Sequence, residues 1–150
     1  MHLLRQHFYV KNEPNDYDQN QEQKQSYCPL YPKRYIAQCL DSVYRQDIPE
    51  EEYEVICVND ASPDHSRDIV LEYQKQHKNL VLIEHEHNKK LGAARNTGRS
   101  IARGKYIWNV DSDDYIEKNC LAAILEKCEK NNLDILMFNL ASDTEGVNNT

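Results

Sequence analysis

The stretch Glu54-Val-Ile-Cys-Val-Asn59 constrains the fold most, because its four central residues are all apolar and none alternates with a polar one. Such a run has no solvent side. It reads as a strand buried on both faces, the situation of a parallel sheet covered by helices above and below. The run closes on an acid, Asp60, followed by Ala61-Ser62-Pro63-Asp64. A second run, Tyr106-Ile-Trp-Asn-Val110, is aromatic and β-branched and also reads as a buried strand. It ends in Asp111, Asp113 and Asp114, with Ser112 among them. Open α/β sheets bind ligands at the carboxyl ends of their strands. Two strands that both end in acids therefore define one edge as the candidate site.

Helical patterns fill the intervals. Ile36, Leu40, Val43 and Tyr44 recur at helical spacing from Lys33 to about Gln46, with Pro32 suited to the helix start and Ile48-Pro49 to its end. Ser62 before Pro63 predicts an N-cap and first helical position, followed by a face of Ile69, Val70 and Tyr73. Leu80-Val-Leu-Ile83 predicts the next strand. Asn88 through Ala102 predicts a helix in which Gly92, Ala93, Ala94 and Gly98 allow close packing and Arg103-Gly104 marks the end. Leu121, Ile124, Leu125 and Cys128 predict a helix within Glu117 to Asn132, and Asp134 to Leu140 a final strand with Ile135, Leu136, Met137 and Phe138 as its core. Alternation of this kind predicts right-handed crossovers and a mainly parallel, three-layer α/β/α sheet. The start is less regular. Phe8-Tyr9-Val10 has the composition of a short strand, whereas Lys11 to Ser26 is polar and predicts a loose or disordered segment.

The totals exclude several classes. A chain of 150 residues is one domain by length. Its net charge of −7, with no basic stripe, argues against a nucleic-acid binder. No apolar run reaches membrane-spanning length and no leader-like stretch opens the chain, so the expected compartment is the cytoplasm, up to the inner face of the membrane. Five cysteines without a Cys-x-x-Cys pair read as free buried thiols. With four glycines there is neither a Gly-x-Gly-x-x-Gly nor a Walker loop.

The chemistry resides in the acids. Asp111 and Asp113, two apart on a chain leaving a strand, can converge on Mg2+ or Mn2+, which then keeps positions open for phosphate oxygens. A polar turn is the alternative for an isolated Asp-x-Asp. An EF-hand loop is excluded, since starting it at Asp111 puts Ile116 where glycine is needed and Ala122 where the bidentate glutamate belongs. Arg95, placed among small residues, is either an ordinary surface arginine or a planar charged fork beside a diphosphate. Glu84-His-Glu-His87 offers a His-x-His pair with both imidazoles on one side, but without a third ligand these read as solvent-exposed histidines.

Four linked segments resemble the donor-binding half of a glycosyltransferase family 2 enzyme: Tyr35 through Gln46, Val58 through Asp64, Asn88 through Gly98, and Asp111-Ser-Asp-Asp114. The resemblance spans about Tyr35 to Leu140. It implies a GT-A fold, a nucleotide-sugar donor (commonly a UDP-sugar), and transfer with inversion to an acceptor hydroxyl on a saccharide or lipid-linked acceptor, in surface polysaccharide assembly. Carried over, Asp60 would contact the base, Arg95 would lie near the nucleotide, and Asp111 would approach the ribose or metal. Asp113 would ligate Mg2+ or Mn2+. Tyr31, in the Pro29-Leu30-Tyr31 echo of the family's first motif, would also touch the nucleotide.

The chain departs from the family pattern in three ways. The apolar first strand before the first helix is missing or altered, and Phe8-Tyr9-Val10 is its one candidate replacement. Ala61 and Lys90 stand where the family carries glycine. The acceptor-binding region and the downstream acid serving as general base are expected beyond residue 150. The expected organisation is thus an altered N-terminal segment over 1–32, an incomplete nucleotide-sugar domain over 33–140, and a polar tail over 141–150. The alternative is a non-catalytic remnant that binds nucleotide weakly or serves as an interaction module. A nucleotidyltransferase lacks its glycine- and lysine-rich phosphate loop here.

Overall fold

A computed structural model describes the backbone of residues 6–12 and 31–137 and the side chains of residues 35–137. In chain order the elements are β1 (Gln6–Asn12), α1 (Tyr31–Tyr44), a 3-10 turn (Glu50–Glu52), β2 (Tyr53–Asn59), α2 (Ser66–Gln76), β3 (Leu80–Glu84), α3 (Lys90–Ile101), β4 (Tyr106–Asp111) and α4 (Leu121–Lys130). Among the described residues the sheet has the order β3-β2-β1-β4 and every pairing is parallel.

Strand β2 is buried along its whole length and divides the core. Tyr53, Val55 and Cys57 face one way, joining Ile36, Leu40 and Val43 of α1, Val70 of α2 and Leu121 of α4. Ile56 and Val58 face the other way, onto Ala94 of α3. This is the three-layer arrangement that an uninterrupted apolar strand requires. Glu54, on the α3 side, is also buried, and its carboxylate is held by the guanidinium of Arg103 at 3.0 Å and by the Arg103 backbone N–H at 2.8 Å. A buried charge survives when it is paired and hydrogen-bonded in this way.

Strand β1 lies between β2 and β4, Asn12 level with Asn59 and Lys11 with Asp111. Gln6–Asn12 thus occupies an interior position of the sheet, and its end takes Lys11 and Asn12 from the segment expected to be loose. Because β2 and β3 lie to one side of β1 and β4 to the other, the strand order reverses at β1. The crevice above that reversal is where such sheets bind ligands.

Several local expectations are corrected. Helix α2 begins at Ser66 instead of Pro63, with His65 at the cap position, and Asp64 just ahead of it ties the turn to the first residue of the helix. Its carboxylate accepts the Ser66 backbone N–H at 3.0 Å and the Ser62 and Ser66 hydroxyls at 2.9 and 2.8 Å. Gly92 is exposed, and a Cβ there meets nothing within 4 Å, so close packing is the task of Ala94 and Gly98 alone. Strand β4 is half-buried: among the described residues it pairs with β1 only, and Ile107 on its open face is 40% exposed. Residues 134–137 form no strand, with Ile135 and Met137 well exposed, while Phe138 to Leu140 lie outside the described residues. Cys39, Cys57, Cys120 and Cys128 are free thiols. Burial raises the Cys57 thiol to about 12, which keeps it protonated and inert.

Candidate functional site

Asp60 is the first residue beyond β2 and is fully buried. One carboxylate oxygen, Oδ1, accepts the Lys89 backbone N–H at 2.9 Å and faces Nδ1 of His85 at 2.6 Å. The other, Oδ2, is enclosed and has no hydrogen-bond partner among the described residues. Burial alone pushes this carboxyl up. The Lys89 backbone N–H, then the His85 ring by hydrogen bond and charge, and then the Lys90 backbone N–H outweigh burial and hold it below the usual carboxylate range, so Asp60 is an anion. A buried carboxylate oxygen left without a donor is expensive unless a ligand supplies one.

His85 is the residue that sequence reasoning misplaced. It is the first residue beyond β3, and its side chain is 5% exposed, not solvated. The β2–β3 register pairs Asn59 with Glu84, which sets Asp60 beside His85. The register is fixed by the His85 backbone N–H donating to the Asn59 carbonyl at 2.9 Å. The far ring nitrogen, Nε2, meets Thr97 Oγ1 on α3 at 2.9 Å. His87 is exposed, so the two imidazoles do not form a pair. The reason is topological: each residue directly follows one of two adjacent parallel strands, and such residues sit side by side, an adjacency that no sequence window contains.

At the other acid-bearing strand, Asp111 ends β4 and receives Arg95 of α3. One guanidinium nitrogen reaches both carboxylate oxygens, at 2.8 and 3.2 Å. Arg95 Nε is buried without a partner among the described residues. The chain then turns tightly, the Asp114 N–H donating to the Asp111 carbonyl at 3.0 Å. The Cys39 thiol of α1 lies 3.6 Å from the same carbonyl. Asp113 is left exposed at the turn. Burial, and then the neighbouring Asp113 and Asp111 charges, raise the Asp114 carboxyl above its ordinary value. Helix α3 therefore serves both acids, Thr97 through His85 to Asp60, and Arg95 directly to Asp111.

Of the residues singled out in the sequence, Asp60, Arg95, Asp111 and Asp113 share the carboxyl edge of the sheet. Tyr31 opens α1, but its side chain lies outside the described residues. Among the described residues no three His, Cys, Asp or Glu side chains gather into a metal-binding group. Two carboxylates at one turn are nevertheless a donor set that suits Mg2+ or Mn2+ when a ligand's phosphate oxygens complete the shell. No helix among the described residues is long and apolar enough to cross a membrane.

The parallel sheet, the reversal at β1 and the acids at the carboxyl edge define an α/β domain with its ligand crevice at the strand-order reversal. The model of glycosyl transferase family 2 matches residues 29–150, and the chain belongs to that family. The poly(ribitol-phosphate) beta-glucosyltransferase of Bacillus spizizenii is 43% identical over 114 residues, covering 75% of this chain and 17% of the relative. The poly(ribitol-phosphate) beta-N-acetylglucosaminyltransferase TarS of Staphylococcus aureus is 34% identical over 117 residues, covering 77% and 20%. The crystal structure of S. aureus TarS in complex with UDP-GlcNAc has the same fold, with a TM-score of 0.75 at 28% identity over 96% of this chain and 37% of that one. The chain thus spans well under half the length of these relatives.

Proposed function

We propose that this chain is the donor-binding half of an inverting glycosyltransferase that takes a nucleotide-sugar, with a UDP-sugar as the donor class, and passes the sugar to a hydroxyl of a saccharide or lipid-linked acceptor in cell-surface polysaccharide synthesis. The observation that carries this reading is the gathering of Asp60, Arg95 and Asp111 at the edge where β1 reverses the strand order. The UDP-GlcNAc complex of TarS, which shares this fold over nearly the whole chain, supports the choice of donor.

Each residue then has a task. Asp60 presents its unpaired Oδ2 to an N–H of the base. Arg95 steadies Asp111, orienting its carboxylate, and adds positive charge beside a diphosphate. Asp113, with Asp111, would hold Mg2+ or Mn2+ against the diphosphate. Such an ion, when bound, offsets the negative charge of the departing nucleotide. The chain spans well under half the length of the glycosyltransferases it matches, and the residues that bind acceptor and take its proton are sought in the part of them it does not cover.

Calorimetric titration of UDP with and without Mn2+ tests the reading. Binding should be tighter with the metal by about tenfold or more, roughly 1.4 kcal/mol, and Asp113→Ala should abolish that difference while the protein stays folded. Metal-independent binding, or a full metal effect in Asp113→Ala, contradicts the assignment. Failure of the folded wild type to bind UDP at all favours the remnant reading.

A further inference from the structure

His85 is used by no step above, yet it is among the most enclosed polar side chains of the site. Its side chain is 5% exposed, against 0% for Asp60. Three elements converge on it. The ring lies between Asp60 Oδ1, 2.6 Å from Nδ1, and Thr97 Oγ1, 2.9 Å from Nε2. An ionised Asp60 accepts only, so Nδ1 carries the proton. Nε2 then shares a hydrogen bond with the Thr97 hydroxyl, which can donate or accept. The chain of contacts from Thr97 through His85 to Asp60 engages one carboxylate oxygen. Oδ1 is further pinned by the Lys89 backbone N–H at 2.9 Å, and Oδ2 is left unpaired.

We propose that His85 is a positioning residue for nucleobase selection: locked by Thr97, it fixes the Asp60 carboxylate so that Oδ2 alone meets the ligand. The site then prefers a base offering a ring N–H over one offering a lone pair at the same position. This rests on the donor-site reading above and adds the residue that sets its selectivity. An acceptor held rigidly in a buried setting rejects a lone pair, because two acceptors are left facing each other without a proton. An Asp60 free to rotate, or to admit water, loses that discrimination even where it still binds.

The test uses the full 150-residue chain with Mn2+ and compares dissociation constants for UDP and CDP, whose bases differ in the ring N–H. Wild type should favour UDP by about tenfold or more. His85→Asn places an amide N–H near the position of Nδ1 and should keep the preference within about threefold of wild type. His85→Gln and His85→Leu, which offer Asp60 no donor there, should bring the UDP to CDP ratio close to one. Thr97→Val, a near-isosteric change that removes the hydroxyl, should reduce the ratio even if the His85 variants do not fold. An unchanged ratio in folded His85→Leu, or in Thr97→Val, overturns the positioning role while leaving the donor site standing. Wild type that binds neither nucleotide overturns the donor site, and the proposal with it.

Discussion

Ala61 and Lys90 carry φ angles of 57° and 71°, in the left-handed region where a Cβ crowds the following carbonyl. Both flank the Asp60 carboxylate in the fold, Ala61 as its chain neighbour and Lys90 next to the N–H donor Lys89. The resemblance noted in the sequence places glycine at both positions, where a left-handed backbone is free of this strain. Ala61→Gly and Lys90→Gly should each raise stability by about 0.5–1 kcal/mol, the left-handed penalty less the entropy that glycine adds to the unfolded chain. Urea unfolding measures this, and a lowered midpoint in either variant contradicts it. At this scale the acids were legible, because a carboxylate closing an apolar strand stands at the edge where such sheets bind ligands. His85 was not, because its neighbours Glu84, Glu86 and His87 are all exposed and make the stretch look solvated. Its burial comes from register with β2, which a sequence window does not contain.

At the scale of elements, the start of α4 depends on α1 and the loop after it. The side-chain oxygen of Gln46 accepts the backbone N–H groups of Cys120 and Leu121 at 3.0 and 3.3 Å, and Asp47 accepts that of Ala122 at 3.0 Å. The Gln46 amide meanwhile donates to the carbonyls of Ser42 and Glu117 at 2.8 and 2.9 Å. The orphan donors of a helix start are thus satisfied by residues more than seventy positions away, instead of by a local cap. Ser42 reinforces the join, its hydroxyl accepting the Ile116 N–H at 3.0 Å. Gln46→Ala should cost about 1–2 kcal/mol and Asp47→Ala about 1 kcal/mol. Amide exchange should quicken in the first turn of α4 before it does in β2, and uniform exchange would argue against a trans cap. The apolar stripe of α4 could be read from sequence, but its true start at Leu121 could not, because the capping partners are remote. Helix α2 shows a local version: Ser62-Pro63 looked like a start, but the helix begins at Ser66, whose N–H is taken by the Asp64 carboxylate.

For the whole molecule, the alternation of apolar runs with helical stripes was enough to define a parallel three-layer sheet. The uninterrupted β2 run required cover on both faces, and α1 with α2 on one side and α3 on the other supply it. The centre of the sheet was harder to read. Phe8-Tyr9-Val10 has the composition of a short strand, but polar residues flank it in Gln6–Asn12 and eighteen residues separate that strand from α1, so its sequence alone does not place it between β2 and β4. Its place follows from the gap that β2 and β4 leave, a property of the assembled sheet. This arrangement gathers Asp60, Arg95 and Asp111, contributed by three separate elements, at one edge. Hydrogen exchange of the 150-residue chain with and without UDP and Mn2+ tests that claim most directly. Slowed exchange confined to residues 60–62, 85–95 and 111–114 is the predicted result. Protection elsewhere, or none at these segments under conditions where UDP is bound, would contradict it.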